Sequence, residues 1–324
     1  MAKGGTSVGV VIRALNEEKH LGRLLTGLAR QTRVPDQIVL VDSGSSDSTV
    51  AIAQSFGASV VHIDSSEFSF GRSLNFGLEA CETDVALILS AHVYPIYDTF
   101  VQNMIAPLEH ESVAVAYGRQ VGDHRTKFAE RRIMRQWFPE DGTGPQDHPF
   151  SNNANACVRR AVWEQLRYDE YLTGLEDLDF AVRAQDKGWD VWYVAEAPIV
   201  HVHEESWSQI LNRYRREAIA YARLHPGWRM GSVEAIGTAG RNLLADWSHA
   251  VVERRPPRVF PESLAFRAAQ FLGTWQGSAS GQTMTEELRR RMYYPAGIRP
   301  FDTANRSLGQ AIDYASGSGS HHVD

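Results

Sequence analysis

Three scarcities set the first limits on this chain. Its 324 residues contain two cysteines, Cys81 and Cys157, without CxxC spacing. A disulfide framework and a thiolate metal site are therefore not expected, a reducing compartment suits the chain, and both thiols read as small core residues. No uninterrupted apolar run approaches the roughly 20 residues that span a bilayer, and the first residues carry no signal-like hydrophobic stretch, so a cytoplasmic protein, soluble or peripheral on the inner face of the membrane, is expected. Basic excess is missing as well: 33 Lys and Arg against 39 Asp and Glu give a formal charge of −6. That balance argues against a nucleic-acid binder, because neutralising phosphates takes a basic surface. An anionic ligand would have to be met by local basic groups.

What is present is an ordinary hydrophobic content of 43%, enough for a sizeable core, and no internal repeat. Strand-like runs at 7–12, 37–41, 59–63 and 85–89 alternate with helical patterns at 18–31 and 73–81, which predicts a parallel sheet with crossover helices on both faces. A second region, about 117–202, holds a Gly/Pro-rich stretch at 139–149, helices near 161–166 and 177–188, and a strand at 189–194. A long arginine-bearing helix is expected at 207–224, and 230–294 reads as largely helical with breaks at Pro256, Pro257 and Pro261. The division expected is a catalytic domain at 1–227, a helical extension at 228–315 and a flexible tail at 316–324. That tail looks like a linker or cloning remnant, so His321 and His322 enter no metal argument.

The most informative stretch is 39–49, where the apolar run Val39-Leu40-Val41 meets Asp42, a turn through Ser43 and Gly44, and the capping cluster Ser45-Ser46-Asp47. Ligands of parallel sheets collect at the carboxyl ends of strands, where Asp42 falls. By itself the segment equally describes an Asp that caps a turn.

Further segments follow in a fixed order: Val10-Val11-Ile12-Arg13-Ala14-Leu15-Asn16-Glu17-Glu18, then Asp42-Ser43-Gly44-Ser45, then Phe70-Gly71-Arg72-Ser73-Leu74-Asn75, then Ser90-Ala91-His92, then Glu176-Asp177-Leu178-Asp179. In this order they resemble the inverting family 2 glycosyltransferases of GT-A fold. The Phe-Gly-Arg-Ser-x-Asn and Tyr117-Gly118-Arg119-Gln120 pieces look most like the rhamnosyltransferase-like branch. The likeness covers roughly residues 7–225 and hardly touches the last hundred.

The resemblance implies a GT-A, Rossmann-like α/β fold: a mixed, mainly parallel sheet flanked by helices, here with a helical C-terminal extension. It implies a UDP, GDP or dTDP sugar as donor and a glycan or lipid-linked acceptor, in bacterial polysaccharide or glycolipid assembly. Ala14, Asn16, Glu17 and Asp42 are then expected at the nucleoside, with Arg72, Asn75, Ser90, Ala91 and Asn153 near the diphosphate or sugar. Asp177 matches the catalytic base and Glu176 its neighbour in the acceptor site. A carboxylate suits ribose or base donors because it accepts directed hydrogen bonds.

The departure from the family is Ser90-Ala91-His92, where most members carry an Asp-x-Asp type triad for the metal. His92 takes the last ligand position, and His201 and His203, on one side of an extended segment, are the further ligand candidates for Mn²⁺ or Mg²⁺. Metal-independent neutralisation of the diphosphate by the histidines with Arg215 or Arg216 is the alternative. A non-catalytic sugar-nucleotide or glycan-binding module is the competing function, against which Glu176-Asp177 speaks. The mixed basic and apolar helices at 209–217 and 264–275 could rest on an anionic membrane, but packing on the catalytic domain is the preferred reading, and the extension is a candidate dimer face.

Overall fold

A computed structural model describes residues 5–64, 67–279 and 308–314. One sheet of nine strands organises the chain: β1 (Val8–Ala14), β2 (Gln37–Asp42), β3 (Ser59–His62), β4 (Val85–Ser90), β5 (Val93–Pro95), β6 (Val113–Gly122), β7 (Gly144–Pro145), β8 (Asn155–Arg159) and β9 (Asp190–His201). Its order is β3-β2-β1-β4-β8-β6-β9-β5, with β7 also on β9. The first four neighbours are parallel, and β6 and β9 are parallel to each other, while β8, β5 and β7 run antiparallel to their partners.

The apolar runs of β1, β2 and β4 are continuous because helices cover both faces. On one side lies α1 (Leu21–Ala29), which buries Leu21, Leu24, Leu25 and Leu28. Burial of each such side chain contributes up to about 1.5–3 kcal/mol. On the other side lies α3 (Phe70–Ala80), after the short α2 (Thr49–Ser55). Gly77 permits the close approach of α3, since a Cβ there would stand 2.4 Å from the Val11 side chain and 2.8 Å from Val41.

The second half adds α4 (Phe100–Ile105), α5 (Phe128–Trp137), α6 (Arg160–Leu166), α7 (Glu176–Asp186) and α8 (Trp207–Leu224). The extension supplies α9 (Ser232–Val252) and α10 (Val259–Ser278), and α10 packs along α8 and against α5. A buried ionic knot ties these helices together. Asp246 of α9 accepts from Arg267 of α10 at 2.7 and 3.0 Å and is also bound by Arg132 of α5. Among the described residues no helix is long and apolar enough to cross a membrane. Both cysteines are free and buried.

Several expected boundaries differ. The helix read at 73–81 begins at Phe70, because the Ser69 side chain caps it by accepting from Arg72 N at 3.1 Å. The strand read at 189–194 continues to His201, since β9 is held by β6 on both sides of a bulge and by β5 at its end. Between the Gly/Pro-rich stretch at 139–149 and the helix read near 161–166 the chain forms β8, a strand the sequence reading does not mark. Pro261 does not break a helix: it lies in the first turn of α10, where a missing N–H costs nothing, and the interruption falls at 253–258. The part of the expected helical stretch beyond residue 279, and the tail at 316–324, lie outside the described residues.

Candidate active site

Pairing of β1 with β2 and β4 sets Ala14 beside Asp42 and Arg13 beside Ser90 at the carboxyl edge of the parallel strands. Two loops are laced together there. Asn16, at φ 55 in the left-handed region that Asn tolerates, accepts from Ser46 N at 2.8 Å, and its own N–H donates to Ser45 Oγ. Glu17 N donates to Thr49 Oγ1 at 2.7 Å. Asp42 is 2% exposed and accepts from Gly44 N, Ser45 N and His62 Nδ1. Burial alone would raise its pKa, but these donors outweigh burial and hold the carboxyl below its ordinary value. These bonds fix Asp42 at the carboxyl end of β2, beside Ala14.

The β5–β9 pairing sets Val93 opposite His201, and this brings His92 against the end of β9, where Val202 N donates to His92 O at 3.0 Å. The His92 and His201 rings stack with centroids 5.1 Å apart, and His203 meets His201 edge-on at 4.1 Å. Each ring has Nδ1 engaged: His92 with Glu17 Oε1 at 2.8 Å, His201 with Gln120 Oε1 at 2.8 Å and His203 with Glu130 Oε1 at 2.7 Å. Burial, reinforced by the neighbouring histidines, pushes His201 well below its ordinary pKa and keeps it neutral. Fixing Nδ1 by a carboxylate or amide leaves Nε2 as a lone-pair donor, which is how metal-binding imidazoles are oriented. Ring stacking thus brings the imidazoles of His92 and His201 together at the end of β9.

His203 belongs to a different group. Among the described residues Glu130, His203 and Glu205 are the cluster whose donor atoms, all within 4.8 Å, could hold an ion. Arg213 already stands in it, bound to Glu130 and 2.6 Å from Glu205 Oε2. His203 and Arg213 overcome the effect of burial and hold Glu130 down to about 2. A resident guanidinium therefore supplies the positive charge that these carboxylates need, and we read the cluster as an ion-pair network.

The carboxylate pair sits at the start of α7, preceded by Leu175 at φ 58. A left-handed non-glycine residue carries roughly 1–3 kcal/mol of strain, of the kind tertiary structure sustains at functional sites. Glu176 is buried and accepts from Arg13 Nη1 and Asn153 Nδ2, each at 3.3 Å. Asp177 is half-buried and accepts from Leu178 N at 2.8 Å and Asn153 N at 3.2 Å. Burial first, and the Glu176 charge second, push the Asp177 carboxyl up to about 7. Asn153 is itself held by Tyr168 Oη, which donates to its Oδ1 at 3.2 Å. Asn152 Oδ1 accepts from Gln120 Nε2 at 2.9 Å, which connects the carboxylates to the histidines. Asp179 turns away and pairs with Arg183.

Arg72 and Asn75 do not join this constellation. Arg72 Nε donates to Glu170 at 2.9 Å, while buried Asn75 donates to Tyr168 O and Glu170 and accepts from Trp163 Nε1 and Tyr168 N. These bonds fasten α3 to the 163–170 segment. Arg13, Tyr168, Glu130 and Arg213 are site neighbours that sequence reasoning missed. Arg13 had a visible signal, a lone cation in an apolar strand; Glu130 had none, because α5 reads as a charged stretch.

Beside the histidines a cavity of about 160 Å³ opens between α5, α8, α9 and α10. Trp137, Phe138 and Phe150 form one wall, and Gln120, Asn152, Glu130 and Glu217 face it, so residues on both sides of position 228 share it. Glu130 Oε2 is buried there without a hydrogen-bond partner, and burial pushes the Glu217 carboxyl up to about 7. Aromatic rings with hydrogen-bonding carboxyls and amides suit a saccharide, apolar on its ring faces and polar at its hydroxyls.

The mixed, mainly parallel sheet flanked by helices is an α/β fold of GT-A type. The fold matches the mannosyltransferase PcManGT from Pyrobaculum calidifontis, solved with GDP-Man and Mn2+, at TM-score 0.59 and 13% identity over 85% of this chain and 88% of that one. The model of glycosyl transferase family 2 matches residues 9–167. The chain is 24% identical to the O-antigen chain rhamnosyltransferase RfbN of Salmonella typhimurium over 82% of this chain and 88% of RfbN. Its identity to the O-antigen chain rhamnosyltransferase WbaN of Salmonella anatum is 25% over 75% and 80%.

Proposed function

We propose that this glycosyltransferase moves a sugar, with inversion, from a nucleoside-diphosphate donor to a hydroxyl of a glycan or lipid-linked acceptor, and that Asp177 is the general base. The observation that carries the reading is the Asp177 carboxyl, oriented by Asn153 N and Leu178 N and raised toward neutrality beside Glu176. Such a group can take a proton at ordinary pH and still leave the ground state uncharged part of the time. In the step, the acceptor O–H gives its proton to Asp177 as its oxygen bonds the anomeric carbon. The anomeric C–O bond to the diphosphate breaks from the opposite face, and the electron pair leaves with the nucleoside diphosphate.

Asn16, Glu17 and the backbone at Ala14 are assigned to the nucleoside, over the Asp42 turn. Ser90, Ala91 and Asn153 are assigned to the diphosphate and sugar end of the donor. His92 and His201 would hold a divalent ion, Mn²⁺ before Mg²⁺ on the chemistry of two imidazoles. Such an ion supplies charge neutralisation for the leaving diphosphate. Likeness to O-antigen rhamnosyltransferases supports a deoxyhexose donor and a role in polysaccharide assembly.

The test is transfer from a panel of UDP, GDP and dTDP sugars by wild type and Asp177→Asn, with donor affinity measured in parallel. The variant should bind donor as wild type does and lose transfer by about 10²-fold or more. Full transfer by Asp177→Asn would sink the base assignment, and donor binding with no transfer by wild type to any acceptor would favour a binding module.

A further inference from the structure

Helix α9 has two unlike faces. Ala235, Thr238, Asp246 and Ala250 are buried, while the opposite side presents Val233, Ile236, Leu244 and Val251, which are 84, 74, 65 and 65% exposed, with Val252 beside them at 80%. At 100° per residue these positions form one stripe along the helix. Gly237 and Gly240 lie on it, with no atom within 4 Å of where a Cβ would stand. Single exposed apolar residues need no explanation, but a contiguous stripe along 21 residues does.

The margins of the stripe are basic. Arg229 precedes α9, Arg241 flanks it, and Arg254, Arg255 and Arg258 follow it, all exposed in a chain whose formal charge is −6. Three carboxylates share this stretch: Asp246 is buried between Arg132 and Arg267, Glu253 is paired with Arg135 and Arg255, and half-buried Glu234 stands at the stripe's edge, in line with Val252.

We infer that α9 is a docking face for an anionic phospholipid bilayer, lying in the plane of the surface with its stripe at the headgroup boundary and its arginines on lipid phosphates. Charge decides against a second copy of the chain. Pairing two α9 helices antiparallel sets the N-terminal arginine against the C-terminal arginines, and parallel pairing sets like ends together. A layer of phosphates complements every one of them. The two helices that the sequence marks as membrane candidates, α8 and α10, pack along each other, and the apolar residues that α10 leaves exposed, Leu264, Leu272 and Trp275 at 39–51%, are less exposed than the 65–84% of the α9 stripe. The inference is independent of the transfer chemistry.

The experiment is sedimentation of the full chain with phosphatidylglycerol vesicles and with phosphatidylcholine vesicles at low and high salt. Binding should favour phosphatidylglycerol, weaken with salt, and fall by on the order of tenfold in Leu244→Glu/Val251→Glu, whose melting temperature should be unchanged because both side chains are exposed. Should that variant fail to fold, Arg254→Gln/Arg258→Gln makes the same test through charge. No sedimentation with phosphatidylglycerol, sedimentation of both variants equal to that of wild type, or a dimer seen by light scattering that the Glu variant dissolves while vesicles capture no protein would each overturn the proposal.

Discussion

Replacing Asp246 should destabilise the protein by an amount that its surroundings allow one to work out. The side chain is 0% exposed, and both of its partners, Arg267 and Arg132, are buried with it. Arg267 is bidentate on the carboxylate and donates a further bond to Gln270 Oε1 at 2.8 Å, so its guanidinium is held in place whether or not the carboxylate is present. One carboxylate serves two cations, and burial already lowers the pKa of Arg132 from its ordinary value before Asp246 partly restores it. Removing the acid leaves both guanidiniums in low dielectric without a counter-charge. Breaking a buried pair in this way costs about 3–5 kcal/mol, a large part of the 5–15 kcal/mol typical of a domain. Asp246→Ala and Asp246→Asn separate charge from volume, because Asn keeps the shape and loses the charge. Urea unfolding should show both variants down by about 3–5 kcal/mol with little change in slope. An Asn variant within about 0.5 kcal/mol of wild type would refute the electrostatic argument and leave a packing role for the residue.

Transfer should depend on pH through the same carboxyl that is proposed as base. Asp177, raised to about 7, must be deprotonated to accept the acceptor proton, so kcat/KM should fall as pH drops below about 7 and level off above it; a profile flat from mildly acidic to mildly basic pH would count against the assignment. His92→Ala should weaken nucleotide binding in the presence of Mn²⁺ and leave metal-free binding nearly unchanged, because Glu17 engages its Nδ1 and the proposed ligand atom is Nε2. Calorimetry showing equal affinity for both proteins with the metal present would remove His92 from the ligand set.

How much of this is legible in the sequence depends on how local the cause is. The strands β1, β2 and β4 read directly because each is an uninterrupted apolar run covered on both faces, and α1 reads from leucines at helical spacing. The strands β6 and β9 are harder. Gly118 sits at the bulge in β6 where a Cβ would meet Ala197 O at 2.7 Å, and β9 is extended to His201 by neighbours distant in sequence. α5 is amphipathic but rich in charge, and its buried members include Glu130 and Arg132, which His203 and partners on α8 and α9 make tolerable. A reading based on apolar periodicity passes over such a helix.

The same distinction runs through the site. Glu176 and Asp177 are recognisable as a pair, yet their chemistry is set from elsewhere. Arg13 reaches Glu176 from β1, and Asn153 reaches both acids from the loop before β8. Arg13 and Asn153 hydrogen-bond Glu176 directly, while Asp177 receives only backbone N–H donors and the proximity of a second carboxylate. Two adjacent acids of one helix turn thereby acquire unlike environments, and unlike environments are what give paired carboxylates separate roles. Arg72 and Asn75 show the converse. They stand in a segment as recognisable as any, but Glu170, Tyr168 and Trp163, which bind them in the fold, lie some ninety residues on in the chain. Whether a polar side chain is available to a ligand is decided by who else reaches it, and that information resides in the pairing of distant elements.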